Sequence, residues 1–140
     1  MSASAVVVRR WFEEVWNQHG FPLIDDLMAP DAVIHGLGAE PLRGSAAFKP
    51  FFRAFCQAFP DLHIDVVRTI SEGDLVVAHI QAAGRHTGEG IGGAPTNQLV
   101  SFQGMVIAQV EAGQIAQAWH CIDFLTMYQQ IGWVPTPVVP

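Results

Sequence analysis

The spacing of hydrophobic residues along this 140-residue chain changes near residue 61. Upstream of that point, apolar side chains recur every three or four residues, as they do along one face of a helix. The predicted helices span residues 3–18, 23–28 and 45–59. Pro50 lies inside the third segment, so this helix either begins near Lys49 or kinks at the proline.

Downstream of residue 61, apolar and polar residues alternate, which is the pattern of half-buried strands. Glycine-containing turns at Glu72–Asp74 and Ala112–Gly113 separate some of these segments. The predicted strands span residues 61–66, 75–86, 99–111 and 114–123, with a shorter candidate at 32–35 and a closing helix at 124–132.

Helices that precede a run of strands joined by short turns predict an α+β fold. We expect the helices to cover one face of a curved antiparallel sheet, which leaves a concave cavity between the two layers. Cavities of this kind are the usual binding sites for small molecules. The chain length suits one domain, residues 1–134, followed by a proline-rich tail at residues 135–140.

Composition narrows the range of partners. Half of the residues are hydrophobic, 14% are charged and the formal net charge is -6. The few basic residues are scattered, which disfavours binding to nucleic acid or to an anionic membrane surface. Two cysteines are too few for a disulfide scaffold, and no apolar run resembles a signal peptide or a membrane span. We therefore expect a cytoplasmic protein that acts on a small molecule.

Asp123 is the first candidate for chemistry, because large apolar residues flank it at the end of the last strand. A carboxylate that loses hydration has a raised pKa and becomes a better base near neutral pH. The alternative is structural: Asp123 directly precedes the closing helix and could be its N-cap. Both interpretations remain open from the pattern.

Several polar residues could accompany Asp123. Strand alternation places His120 on the opposite face of its strand from Asp123. His35 ends a short strand and could polarise a substrate carbonyl or act as a second acid or base. His79 and Gln103 lie in mid-strand, where each either lines the cavity or faces solvent.

No cofactor is expected from the sequence. It has no closely spaced His or Cys pair of the kind that binds metals, and its six histidines are dispersed. Its glycines do not form a phosphate-binding loop, and there is no Gly-x-Ser-x-Gly nucleophile motif.

Short motifs in a fixed order suggest a family. The central motifs are Gly84–Gly88 (GRHTG), Gly92–Thr96 (GGAPT) and Val100–Gly104 (VSFQG). They are preceded by Trp11-Phe12, Asn17, Pro30-Asp31 and His35, and followed by Gly113–Ile115, Trp119, Asp123 and Gln129–Gly132. In this order and spacing, over roughly residues 6–133, the sequence resembles the SnoaL-like polyketide cyclases.

The resemblance implies a nuclear transport factor 2-like cone, in which a curved antiparallel sheet wraps around N-terminal helices and dimerises through its sheet. It implies an intramolecular aldol reaction on a small hydrophobic substrate, without metal or cofactor. Asp123 takes the position of the general acid/base, and His35 falls near the residue that helps to bind the substrate. Trp119, Gln103, His79 and Met105 are the further substrate-binding candidates.

One stretch departs from the resembled cyclases, which carry a His and a Gln on the strand after the Phe-x-Gly element. Residues 105–108 are apolar here, and the nearest polar candidates are Gln103 and Gln109. Other activities of the cone therefore stay open: a cofactor-independent hydroxylase, a ketosteroid-isomerase-like enzyme, or an epoxide hydrolase for which Arg85 is the candidate arginine. A non-catalytic binding or dimerisation module, with Asp123 only as a helix cap, is the remaining alternative.

Overall fold

The computed structural model describes residues 1–137, in which a helical layer packs against a six-stranded sheet. The helical segments are α1 at Ala3–Arg10, a π-helical continuation at Trp11–Trp16, a 3₁₀ turn at Phe21–Leu23, α2 at Ile24–Leu27, α3 at Ser45–Ala58 and α4 at Phe124–Gln130. None of the helices in this part of the chain is long and apolar enough to cross a membrane. Residues 138–140 of the predicted tail lie outside the described residues.

The sheet is curved and does not close into a barrel. Its strands are β1 at Met28–His35, β2 at Leu42–Arg43, β3 at His63–Glu72, β4 at Leu75–Arg85, β5 at Leu99–Glu111 and β6 at Gln114–Ile122. They lie in the order β2-β1-β6-β5-β4-β3, and neighbours are antiparallel except for β1 and β6, which run parallel. The α+β cone is thus confirmed, with one parallel pair in an otherwise antiparallel sheet.

Alternation along the strands gives the sheet an inner and an outer face. On β5, Phe102 and Val106 are buried against the helices, whereas Ser101, Gln103 and Met105 are exposed on the opposite side. The core therefore lies between the helical layer and the inner face, which is the arrangement that the period-2 pattern predicts.

The first helix does not keep a regular α-helical pitch over residues 3–18. After Arg10 the hydrogen bonding widens to a π-helix, which adds a residue per turn. Trp11, Phe12, Val15 and Trp16 are all buried in this segment, so the wider turn directs four large side chains toward the core.

Pro50 lies inside α3, which runs unbroken from Ser45 to Ala58. The alternative that this helix begins near Lys49 is therefore wrong. Its apolar face carries Phe48 and Phe52, which are almost completely buried against the first helix.

Asn17 connects the end of the first helix to the beginning of β3. Its side-chain amide donates to the Ile64 carbonyl at 2.8 Å and accepts from the Ile64 amide at 2.7 Å. The Asn17 side chain thus makes the two hydrogen bonds that the backbone of a neighbouring strand would otherwise make with Ile64.

We expect Asn17→Ala to lower the free energy of unfolding by roughly 2–3 kcal/mol, because it leaves two partly buried backbone groups of Ile64 without partners. Urea unfolding would measure the loss. The neighbouring exposed residue provides the control, since Gln18→Ala should change stability by less than about 0.5 kcal/mol. Equal effects of the two substitutions would contradict the assigned role of Asn17.

Candidate active site

A cavity of about 60 Å³ lies between the helical layer and the inner face of the sheet. Its lining is almost entirely aromatic and aliphatic. The lining residues are Trp11, Phe12, Trp16, Leu37, Phe48, Phe51, Phe55, Leu62, Ile64, Ile80, Ala82, Phe102, His120, Ile122 and Phe124. A smaller chamber of about 20 Å³ adjoins it and shares Trp11, Phe12, Phe48 and His120.

Aromatic packing between the first helix and α3 shapes one wall of the cavity. The ring centroids of Trp11 and Phe48 lie 5.1 Å apart, and those of Trp16 and Phe52 lie 4.9 Å apart. Distances and tilts of this kind are favourable for aromatic pairs. The π-helical turn allows both tryptophans to reach the same helix.

Among the described residues that line the cavity, His120 is the only titratable one. It lies on the inner face of β6, and its Nδ1 is 3.1 Å from the backbone carbonyl oxygen of His35. A carbonyl oxygen can only accept, so Nδ1 carries the proton and Nε2 keeps a free lone pair in the neutral ring. No residue in the described part of the chain hydrogen-bonds to Nε2.

Burial lowers the pKa of His120 to about 4, and the hydrogen bond to the His35 carbonyl opposes this effect only in part. The charged imidazolium is unfavourable in an apolar cavity because it loses hydration. At neutral pH the cavity therefore presents a neutral hydrogen-bond acceptor, the Nε2 atom of His120.

Gly36 explains how the His35 carbonyl comes so close to β6. The glycine has a φ of +89°, and a Cβ at this position would overlap the backbone of His120. Only glycine combines this backbone conformation with this close approach. The Gly36–Gly38 loop is thereby anchored beside His120.

Asp123 is not in the cavity. Its side chain is exposed and caps α4, with Oδ1 accepting from the Thr126 amide at 3.0 Å and Oδ2 from the Thr126 hydroxyl at 2.6 Å. These hydrogen bonds stabilise the carboxylate and hold the pKa of Asp123 below its ordinary value. The prediction of a dehydrated carboxylate with a raised pKa is therefore wrong for this conformation.

His35 and Trp119 also point away from the cavity. Both lie on the outer face of the sheet, where their rings stack with centroids 5.6 Å apart and 8° between their planes. The His35 Nε2 atom is 3.2 Å from Oε1 of Gln117, another outer-face residue. The backbone of His35 therefore contacts His120, but its side chain does not reach the cavity.

The other three predicted binding residues share this outer face. His79 and Gln103 pair with each other, Nε2 to Oε1 at 3.1 Å, and Met105 is 46% exposed. Their neighbours in sequence, such as Ile80 and Phe102, point into the cavity instead. Of the two alternatives left open for His79 and Gln103, the structure thus has the one outside the cavity, and the candidate Met105 is corrected in the same way, because strand alternation places all three on the opposite side.

The remaining sequence candidates do not supply another polar group. Gln109 donates to Asp74 at 3.1 Å, and Arg85 donates to the Asn97 carbonyl at 2.7 Å, both outside the cavity lining. Within residues 1–137, no three His, Cys, Asp or Glu side chains converge as metal ligands would.

The cone with its apolar cavity is a nuclear transport factor 2-like fold. The profile of the SnoaL-like polyketide cyclases matches residues 6–131, so the chain belongs to this family. No curated protein matches the sequence significantly.

Solved structures have the same fold. A candidate SnoaL-like polyketide cyclase from Jannaschia sp. CCS1 is 22% identical with a TM-score of 0.86, and the match covers 95% of this chain and 94% of that one. IdmH, a candidate polyketide cyclase from Streptomyces antibioticus, is 27% identical with a TM-score of 0.81 over 92% and 98% of the two chains. AclR, a candidate hydroxylase from Streptomyces galilaeus, is 24% identical with a TM-score of 0.84 over 96% and 84%.

We expect acid to destabilise the protein partly through His120. Its pKa is about 4 in the folded chain and 6.5 in the reference state, so between these values the unfolded chain binds a proton that the native chain does not. The free energy of unfolding therefore keeps the full contribution of the neutral ring above pH 6.5. It decreases by at most about 3 kcal/mol as the pH falls from 6.5 toward 4.

Urea unfolding at several pH values would measure this loss in the wild type and in His120→Gln, whose amide can still donate to the His35 carbonyl. The variant should lose less stability than the wild type between pH 6.5 and 4.5. Buried His86 has a lowered pKa for the same reason and contributes equally to both proteins. Identical pH dependence in the two proteins would contradict the assignment.

Proposed function

We propose that this chain is a polyketide-cyclase-like enzyme that performs acid/base chemistry on a small hydrophobic organic substrate without a cofactor. The observation that carries the proposal is the apolar cavity in which a single titratable side chain, His120, presents a neutral Nε2 atom. Family membership supports the reaction class, and the lining supports a hydrophobic substrate.

His120 supplies both proton transfers in this mechanism. Its Nε2 lone pair takes a proton from a carbon next to a substrate carbonyl, and the electrons of the broken C–H bond pass into the enolate. The enolate carbon attacks a second carbonyl carbon of the same substrate, which forms the new C–C bond and leaves an alkoxide. The imidazolium then returns its proton to the alkoxide, so the histidine ends neutral.

The low pKa of His120 is compatible with this role. In the cavity without an anion, burial alone disfavours the imidazolium. When proton transfer creates an enolate beside it, the two opposite charges form together in a medium that screens them weakly. The enolate therefore stabilises the protonated ring at the step where protonation is needed.

Asp123 remains the alternative base that the family resemblance implies. Its carboxylate would have to leave Thr126 and move from the surface into the cavity to act, and it would lose both hydrogen bonds and its hydration. The imidazole of His120 already lines the cavity.

For His35, the contact with His120 supports a positioning role for the backbone carbonyl rather than polarisation of a substrate by the side chain.

We also propose that the protein is a homodimer that associates through the outer face of its sheet. Cross-strand partners place Ile70, Val77, Ile107 and Trp119 side by side across four strands. We call these four residues the outer row. Ile70 is 65% exposed, Ile107 40% and Trp119 38%, so the outer row is an apolar strip that a second copy could cover.

Deuterium exchange at C1 of 2-tetralone, an enolisable bicyclic ketone, would test the assignment of the base. We expect the wild type to accelerate exchange and His120→Gln to lower this rate by about 100-fold or more, because the proton acceptor is lost. Asp123→Asn keeps a capping oxygen and should retain the rate within about threefold. Nuclear magnetic resonance would follow the exchange.

The pH dependence provides a second readout. Because the pKa of His120 is about 4, the exchange rate per enzyme should stay nearly constant between pH 8 and 5.5 after the solvent rate is subtracted. Loss of activity in Asp123→Asn, with full activity in His120→Gln, would assign the base to Asp123 instead. Exchange no faster than in buffer would contradict the proposed function.

Sedimentation equilibrium would test the dimer. We expect the wild type to have the mass of two chains and Ile107→Glu to have the mass of one, because each copy would bury an unpaired carboxylate in the interface. Leu125→Glu is the matched control, since Leu125 is 58% exposed on α4 and lies off the outer row. A monomeric wild type would contradict the proposal.

A further inference from the structure

A larger recess at the protein surface adjoins the cavity. This recess has a volume of about 480 Å³ and lies between the Gly36–Gly38 loop, α3, α4 and the Gly90-Ile91 segment. Four residues line both spaces: Leu37, Phe51, Phe55 and Phe124. We call these four residues the aperture.

The volumes of the two spaces restrict how a substrate can bind. For comparison, an engineered apolar cavity of about 150 Å³ holds a single benzene ring. The inner cavity has well under half of that volume. A substrate with fused or linked rings therefore cannot lie wholly inside it, and most of its body must occupy the recess.

The aperture has a tightly packed side, formed by three phenylalanines, and a side formed by Leu37 that can be displaced. Its three phenylalanines form a contiguous series, with ring centroids 4.8 Å apart between Phe51 and Phe55 and 5.9 Å apart between Phe55 and Phe124. Leu37 faces them from a loop in which it is flanked by glycines. Gly36 is packed against the His120 backbone, whereas a Cβ at Gly38 would meet open space. Displacement of Leu37 is thus the least costly way to widen the passage.

His120 determines which polar group a ligand must carry, because it lines the cavity beyond the aperture. Its Nε2 atom is a hydrogen-bond acceptor without a partner among the described residues, and the rest of the lining is almost entirely apolar. A ligand gains this hydrogen bond only if a donor, such as a phenol or enol hydroxyl, is at the end that passes through the aperture.

We infer that the aperture, and Leu37 in particular, determines substrate specificity by selecting ligands whose hydroxyl-bearing end is narrow. The substrate class is then an elongated aromatic molecule with a phenol or enol at its narrow end and its body in the recess. The inference rests on the proposed function, since it assigns the same cavity to the substrate and since removal of an enol or phenol proton by Nε2 gives the same kind of enolate as removal of a carbon proton.

Two hydroxylated probes of different width would test this inference by isothermal titration calorimetry. In 4-phenylphenol the hydroxyl is at the narrow end of two linked rings, and in 9-phenanthrol it is on the broad side of three fused rings. We expect the wild type to bind 4-phenylphenol at least about tenfold more tightly than 9-phenanthrol, a size discrimination typical of apolar pockets. Biphenyl, which lacks the hydroxyl, should bind more weakly than 4-phenylphenol.

Leu37→Ala should reduce the preference to about threefold or less, mainly by tightening 9-phenanthrol binding. Leu125→Ala deletes the same atoms from an exposed site on α4 and should keep the wild-type ratio. Phe124→Leu provides a second widened aperture if Leu37→Ala is unstable.

Three results would overturn the inference: a wild type that binds neither probe, equal binding of the two probes, or the same ratio in both aperture variants as in Leu125→Ala. A different result would contradict the proposed function. Absence of 2-tetralone exchange with a preserved width preference would remove the acid/base reaction and leave the aperture in place.

Discussion

The close parallel pairing of β1 with β6 is the constraint on which the site depends. The register places His35 opposite Trp119, and Gly36 then packs against the backbone of His120 where any Cβ would overlap it. This approach brings the His35 carbonyl within 3.1 Å of Nδ1 of His120. The tautomer, the orientation of the ring and the free lone pair on Nε2 all follow from that contact. A backbone contact between two strands thus determines which atom the cavity offers to a ligand.

Much of the fold could be predicted because hydrophobic periodicity reports local burial. The alternation over residues 99–111 predicts β5 with its observed bounds, and the phenylalanine spacing predicts α3 in spite of Pro50. The π-helical turn could not be predicted in this way. Over a turn and a half, the apolar pattern at Trp11–Trp16 fits an α-helix and a π-helix equally well. The parallel β1–β6 pairing is a long-range contact, which spacing along the chain does not encode.

The lining of the cavity was predicted less well, and β6 shows why. Alternation correctly separates His120 from Trp119 and Asp123, but it does not state which of the two faces covers the cavity. That choice depends on the register with β5 and β1, where His120 lies opposite Val106, a buried residue. The apolar residues next to Asp123 in sequence therefore suggested a dry carboxylate, although its side chain is exposed. The better signal was the position of Asp123 directly before the closing helix, because aspartate is a preferred N-cap residue whose carboxylate accepts from backbone amides of the first turn.

The low water content of the cavity and the selectivity of its entrance depend on the same residues. The imidazolium that forms when His120 takes the proton is strongly stabilised by the enolate only where water does not screen the two charges. A wide, permanently open mouth would admit more of that water, whereas the apolar lining of the narrow cavity behind Leu37 and three phenylalanines gives water few hydrogen-bond partners. Access must then come from side chains that move aside for a ligand, and the energetic cost of moving them rises with the width of the entering group. Discrimination by width is therefore a consequence of the environment that the base requires, and selection acting on either property would also change the other.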